Sequence, residues 1–145
     1  MKNLKTYIVI SAIFIFAGQS FEAYSQLKFA VIANKSVPIE DFLKNDIRKV
    51  YYGFSTQWKN KEKVKPCYAP IPNDAFWFYI QTSESKFDAF WTKRVFSGNG
   101  VAPISYENDS KVIDYVNRTP GAIGIINDSE KGNIGANSKV LAFKL

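Results

Sequence analysis

The sequence predicts an α/β fold with a central, mostly parallel or mixed sheet flanked by helices. Two observations carry that prediction. Short apolar runs rich in β-branched residues alternate with stretches of helical periodicity, and several of those runs are apolar at successive positions, as strands covered on both faces require. A chain of 145 residues, 46% hydrophobic and 16% aromatic, is enough for one packed domain and excludes a disordered or low-complexity protein. Periodicity does not set strand order, so an antiparallel α+β arrangement is the alternative.

Residues 27–33 form a mostly apolar run bounded by Asn34, Lys35 and Ser36, and read as a buried strand. Pro38 opens a helical pattern in which Ile39, Phe42, Leu43, Ile47, Val50 and Tyr51 recur three and four apart, with Gly53 as its stop. Residues 64–69 make a strand that Pro70 and Pro72 force out of the sheet. Asn73 or Asp74 then caps a short aromatic helix through Phe76, Trp77, Tyr79 and Ile80, because a side-chain oxygen there satisfies an orphaned backbone amide. Ser85 followed by Asp88 resembles a capping box. A helix starting near Ser85 carries Phe87, Phe90, Trp91 and Val95 on its apolar face until Ser97, Gly98, Asn99 and Gly100 end it. A fourth helix begins at Asn108 or Asp109, turns Val112, Ile113 and Val116 inward, and stops at Thr119, Pro120 and Gly121. Residues 122–126 and 140–143 are the last strands, separated by a turn rich in glycine and asparagine.

At the N-terminus, Lys2 and Lys5 precede an apolar run over residues 7–17, and Ala23 and Ser25 occupy the small-residue positions of a cleavage site. Residues 1–25 therefore read as a secretory signal cut before Gln26, leaving 26–145 as one domain, periplasmic or secreted. The alternative is a retained transmembrane anchor, but the run falls short of the roughly 20 apolar residues a span needs. No stable membrane anchor is expected after cleavage, and Cys67 lies too far from the signal to be its lipidated cysteine. The net charge of +6 is spread over lysines in every segment. The densest run, residues 59–65, contains Glu62 and reads as a solvated turn, so no nucleic-acid partner is expected; the positive field favours small anions.

The chain has no histidine and one cysteine, which excludes histidine triads, Cys/His zinc sites, c-type haem attachment and an intrachain disulfide. Glu40/Asp41 and Asp128/Glu130 sit at turns or helix starts, where acids suit the helix dipole, without a partner at catalytic spacing. Cys67 has no histidine to activate it and reads as half-buried and inert. Neither glycine cluster, 121–124 or 132–135, carries a Walker-type lysine or a dinucleotide fingerprint. No enzymatic activity and no cofactor are expected.

Phe29, Ala30, Val31 and Ile32 in the first strand are followed by a helix end at Ile47, Val50, Tyr51, Tyr52 and Gly53, then Trp58, the pair Phe90 and Trp91, Phe96-Ser97-Gly98 with Pro103, and Thr119-Pro120-Gly121-Ala122-Ile123-Gly124. In order and spacing these resemble the phosphate ABC transporter substrate-binding protein family of the type 2 periplasmic-binding-protein-like superfamily, with its I-F-x-G and P-G-A-I-G-Y elements. The resemblance spans about residues 28–126. It implies a periplasmic-binding-protein-like single lobe, a short form of a two-lobed clamshell, in which Gly53 caps a helix, Trp58 covers the core and Pro120 and Gly121 stop a helix.

Members of that family hold an oxyanion between two lobes, partly through an R-x-x-x-S-G-T loop whose guanidinium, hydroxyls and helix-start amides grip it. The matching residues here, 67–74, include no arginine, serine or threonine; Pro70 and Pro72 remove backbone donors, and Asp74 would repel phosphate. Ile125 also stands where the family has its last tyrosine. The resemblance thus implies an exported solute-binding-protein-like module without the phosphate-binding loop; the alternative is an envelope protein-interaction or accessory module that binds no small ligand. The remaining ligand-binding candidates are Asn73 and Asp74 at one helix start and Asn108, Asp109 and Ser110 at another, although ordinary N-capping also accounts for them. The expected partners are a small anion such as phosphate, an envelope protein, or a second copy of the chain in a homo-oligomer covering the former inter-lobe face.

Overall fold

The computed structural model describes residues 29–70 and 74–144; the signal assigned to residues 1–25 lies outside them, as does Asn73. Strand β1 (Phe29–Asn34) is followed by β2 (Asp41–Leu43), α1 (Lys44–Tyr51), β3 (Lys65–Tyr68), α2 (Asp74–Tyr79) and α3 (Glu84–Phe96). Then come β4 (Ile104–Ser105), α4 (Asp109–Arg118), β5 (Ala122–Asn127), a 3-10 turn (Asp128–Asn133) and β6 (Ser138–Lys144). The strands make one six-stranded sheet in the order β2-β6-β1-β5-β3-β4. β1 runs antiparallel to both its neighbours, β5 and β6, while β2 is parallel to β6 and β3 is parallel to β5 and β4. Every strand except β1 therefore points the same way. The sheet is mixed and mostly parallel, within the α/β class expected.

Because successive strand residues face opposite sides, the central strands β1, β5 and β3 feed two cores. Val31 and Ala33 of β1, Ile123 and Ile125 of β5 and Tyr68 of β3 pack under α1, α2 and α3 with Ile47, Val50, Tyr51, Phe76, Phe87 and Trp91. The core on this side is built of rings: Tyr68 and Phe76 stack with centroids 4.6 Å apart, and Tyr51, Trp77 and Phe87 meet Phe76 edge-on. The polar tips are satisfied, since the Tyr51 hydroxyl donates to the Cys67 carbonyl at 2.7 Å and the Trp91 indole N–H to the Tyr51 carbonyl at 3.1 Å. The intervening residues, Ala30, Ile32, Cys67, Ala122 and Ile126, face α4 and its Val112, Ile113 and Val116. That helix lies so close to β5 that a Cβ on Gly124 would come within 2.5 Å of Val112 Cγ1.

Three expectations are corrected. The helical pattern from Pro38 does not start a helix there: residues 41–43 pair in parallel with residues 142–144 of β6, and α1 begins only at Lys44. An open edge on β6 offers these residues ladder hydrogen bonds that a helix would deny it. The N-cap of α3 is Ser83, whose side chain accepts from the Lys86 amide, rather than Ser85. Val95 of α3, placed on the apolar face, is 48% exposed. Both predicted glycine stops hold. Gly53 has φ +68°, with its N–H bonded to Val50 O and the Phe54 N–H to Lys49 O, and Gly98 repeats the pattern at φ +71°, the paired bonds of a Schellman motif.

Gly121, with φ +78°, immediately precedes β5 and ties three segments together. Its N–H donates to Ser36 Oγ at 2.9 Å, and its carbonyl accepts from the Trp58 indole at 2.9 Å and from the Lys65 amide at 3.1 Å. The Ser36 hydroxyl in turn donates a hydrogen bond to Glu62 Oε2 at 2.8 Å. A Cβ at position 121 would lie 2.2 Å from the Lys63 carbonyl oxygen. Gly121→Ala is expected to cost about 2 to 4 kcal/mol, combining the left-handed backbone with overpacking, read as a lower urea midpoint at unchanged slope.

Candidate functional site

β3, β4 and β5 run parallel, so the segments leaving their carboxyl ends lie at one edge of the sheet. β3 leads to Asp74, the first residue of α2; β4 leads through Tyr106 and Glu107 to Asn108 and α4; β5 ends at Asn127. The carboxyl edge of parallel strands is where open α/β sheets bind ligands. The topology therefore brings the two predicted helix starts to the same edge, although they lie more than thirty positions apart in the chain. Asn73 falls outside the described residues, and α2 is a helix of only six residues.

At the second helix start, each candidate side chain has a different task. Asn108 is the N-cap, in extended conformation, with Oδ1 accepting from the Lys111 amide at 3.1 Å. Asp109 is only 7% exposed and turns inward, where Oδ2 accepts from the Asn127 backbone N–H at 2.9 Å and from its side-chain amide at 2.7 Å. Asp109 Oδ1 is buried without a hydrogen-bond partner among the described residues. Ser110 is exposed and lines a cavity of about 410 Å³ on the flank of α4 with Lys111, Asp114, Asn117 and Asn133. The three residues thus diverge. A buried carboxylate at the first turn of α4 opposes a dianion there, and Asn108 occupies an amide that anion capture at a helix start would use.

Cys67 is fully buried rather than half-buried, with its thiol donating to the Ile123 carbonyl at 3.5 Å. Burial pushes the thiol well above its ordinary range, which leaves it neutral and unreactive. Tyr51 is raised too, first by its own burial and then by the neighbouring Cys67 and Tyr68 groups. Among the described residues, no helix is long and apolar enough to cross a membrane.

This six-stranded α/β architecture has counterparts among solved structures, each matched over less than half of its own length. Among solved structures it is similar to one from Clostridium perfringens described as a phosphate ABC transporter substrate-binding protein with bound phosphate, at TM-score 0.61 and 17% identity, covering 80% of this chain and 44% of that one. It is similar also to PstS from Borrelia burgdorferi, at TM-score 0.57 and 14% identity over 81% and 47% of the two chains. An ABC-type phosphate transport receptor from Vibrio cholerae matches at TM-score 0.52 and 16% identity over 80% and 46%. The chain spans less than half the length of each. No protein-family model matches the chain, and no curated protein does.

Asp109→Ala removes the acceptor for both Asn127 donors and is expected to lower stability by about 1 to 3 kcal/mol, while Ser110→Ala leaves the denaturation midpoint unchanged. The sign of the alkaline response follows from burial: in the unfolded chain a cysteine ionises near pH 9, whereas folded Cys67 stays protonated far above it. Stability contributed by the neutral thiol is complete below about pH 9 and declines as the pH rises beyond it, with Tyr51 adding to the decline above its own ordinary value. Denaturation midpoints measured across that range check this, and Cys67 should react with a thiol reagent only when the protein is unfolded.

Proposed function

We propose that the protein is an exported solute-binding module, related to phosphate ABC transporter substrate-binding proteins but lacking their arginine-bearing loop, that takes a small anion weakly at the edge formed by the ends of β3, β4 and β5. Residues 1–25 serve as the signal and residues 26–145 as the working domain, in the periplasm or outside the cell. The observation that carries this reading is the shared edge itself: a single receptor-like lobe has both helix starts at the end of its parallel strands, with an excess of basic over acidic residues to draw anions in. Asp109 and the loss of the clasp argue for weak capture rather than the tight grip of a complete clamshell. Calorimetry on residues 26–145 with phosphate, sulfate and acetate is expected to show millimolar affinity, with amide shifts at Asn108, Asp109 and Ser110; no heat and no shifts at millimolar ligand would exclude solute capture at this edge.

A second reading, an envelope accessory module that binds a protein or a second copy of itself, has its own observation. Phe96 is 88% and Val101 89% exposed, and Val95 and Ile104 lie open in the same stretch of chain beside the two-residue edge strand β4. Light scattering is the measurement here: a strictly monomeric protein that captures no envelope partner removes this reading.

A further inference from the structure

We propose that a cavity at the opposite edge of the sheet, between the end of α1, the end of α3 and the chain entering β3, binds a small monoanion with an apolar body, such as an aromatic carboxylate. This site is separate from the carboxyl edge of the parallel strands and does not depend on solute capture there. The cavity encloses about 370 Å³, room for a single-ring ligand. It is lined by two cations, Arg94 and Lys63, and by no acid. Among the described residues neither cation forms an ion pair.

Arg94 is half-buried and held in place before any ligand arrives. Its Nε–H donates to the Asn99 carbonyl at 2.9 Å and one terminal N–H to the Gly53 carbonyl at 3.3 Å. Its guanidinium carbon stands 5.6 Å from the Phe54 ring centre and 5.7 Å from those of Phe90 and Trp91. These ring faces favour the cation without neutralising it, and three of its five N–H donors remain for a ligand. The arrangement depends on two bare backbone positions. A Cβ on Gly53 would fall 2.8 Å from the Trp91 ring, and one on Gly100 would fall 3.1 Å from Arg94 Nε and 3.3 Å from that ring.

The walls select the ligand's shape. Val50, Val64, Pro66, Trp91 and Val101 offer an apolar surface for a hydrocarbon body, and Thr56, Gln57 and Asn99 are the uncharged polar side chains of the same lining. A carboxylate needs two acceptor positions only, which match the planar fork of an arginine, while Lys63 at the exposed rim adds a second positive charge.

Benzoate, with benzyl alcohol as its uncharged counterpart, tests the assignment by amide and indole NMR on the whole mature chain. Benzoate is expected to shift the Gly53 and Gly100 amides and the Trp91 indole N–H saturably, and benzyl alcohol to bind about tenfold more weakly or worse. Arg94→Gln should weaken benzoate about tenfold and Lys63→Gln about two- to fivefold. Arg94 also bonds two carbonyls, so if its variant fails to fold, the exposed Lys63→Gln and the benzyl alcohol comparison decide. The proposal is overturned by an absence of shifts at millimolar benzoate, by equal responses to the acid and the alcohol, or by shifts confined to residues 108–110.

Discussion

The left-handed turn at Gly121 is the constraint on which the rest depends. β5 lies in the sheet between β1, the one reversed strand, and β3, the first of the outer parallel pair. Whatever sets the start of β5 therefore sets the register between the two halves of the sheet. Gly121 does so by committing both its backbone groups to long-range partners: Ser36 just after β1, Trp58 in the loop before β3, and the first amide of β3 itself. A side chain at this position would collide with the Lys63 carbonyl, so the loop can approach only because the residue has none. The same contact places the start of β3, and with it the position of Lys63 at the mouth of the cationic cavity.

Packing on the other face fixes the opposite edge. Gly124 lets α4 sit directly on β5, and Asn34 at the end of β1 reaches across to donate to the Val116 carbonyl at 2.9 Å. Asp109 then pins the first turn of α4 to the end of β5 through Asn127. A helix start held this way is rigid, which suits a binding edge, but its best polar groups are consumed in holding it. That is why the carboxyl ends of the parallel strands present so little free recognition chemistry at the start of α4.

The two edges consequently differ in character. At the carboxyl ends of the strands, Asn108 and Asp109 are engaged by donors of α4 and β5; at the amino end of β3, a guanidinium held by two carbonyls stands over aromatic rings with no ion-pair partner among the described residues. The contrast makes anion size and polarity, rather than charge alone, the property expected to separate the two edges.

The sequence by itself determined the elements whose signals are local: the strands at β1, β3, β5 and β6, the Asn108 cap of α4 with Val112, Ile113 and Val116 beneath it, and the glycine stops at 53 and 98. These are choices a segment makes with its own caps and apolar spacing. Only the tertiary structure decided that residues 41–43 join β6 instead of extending α1, that β4 exists as a two-residue edge, that Asp109 turns in while Ser110 turns out, and that Lys63 and Arg94 share a cavity. Each of these is set by partners distant in the chain, through an open ladder edge or a helix seated on a glycine. Neighbouring residues carry no record of such a partner until folding brings it within a few ångströms.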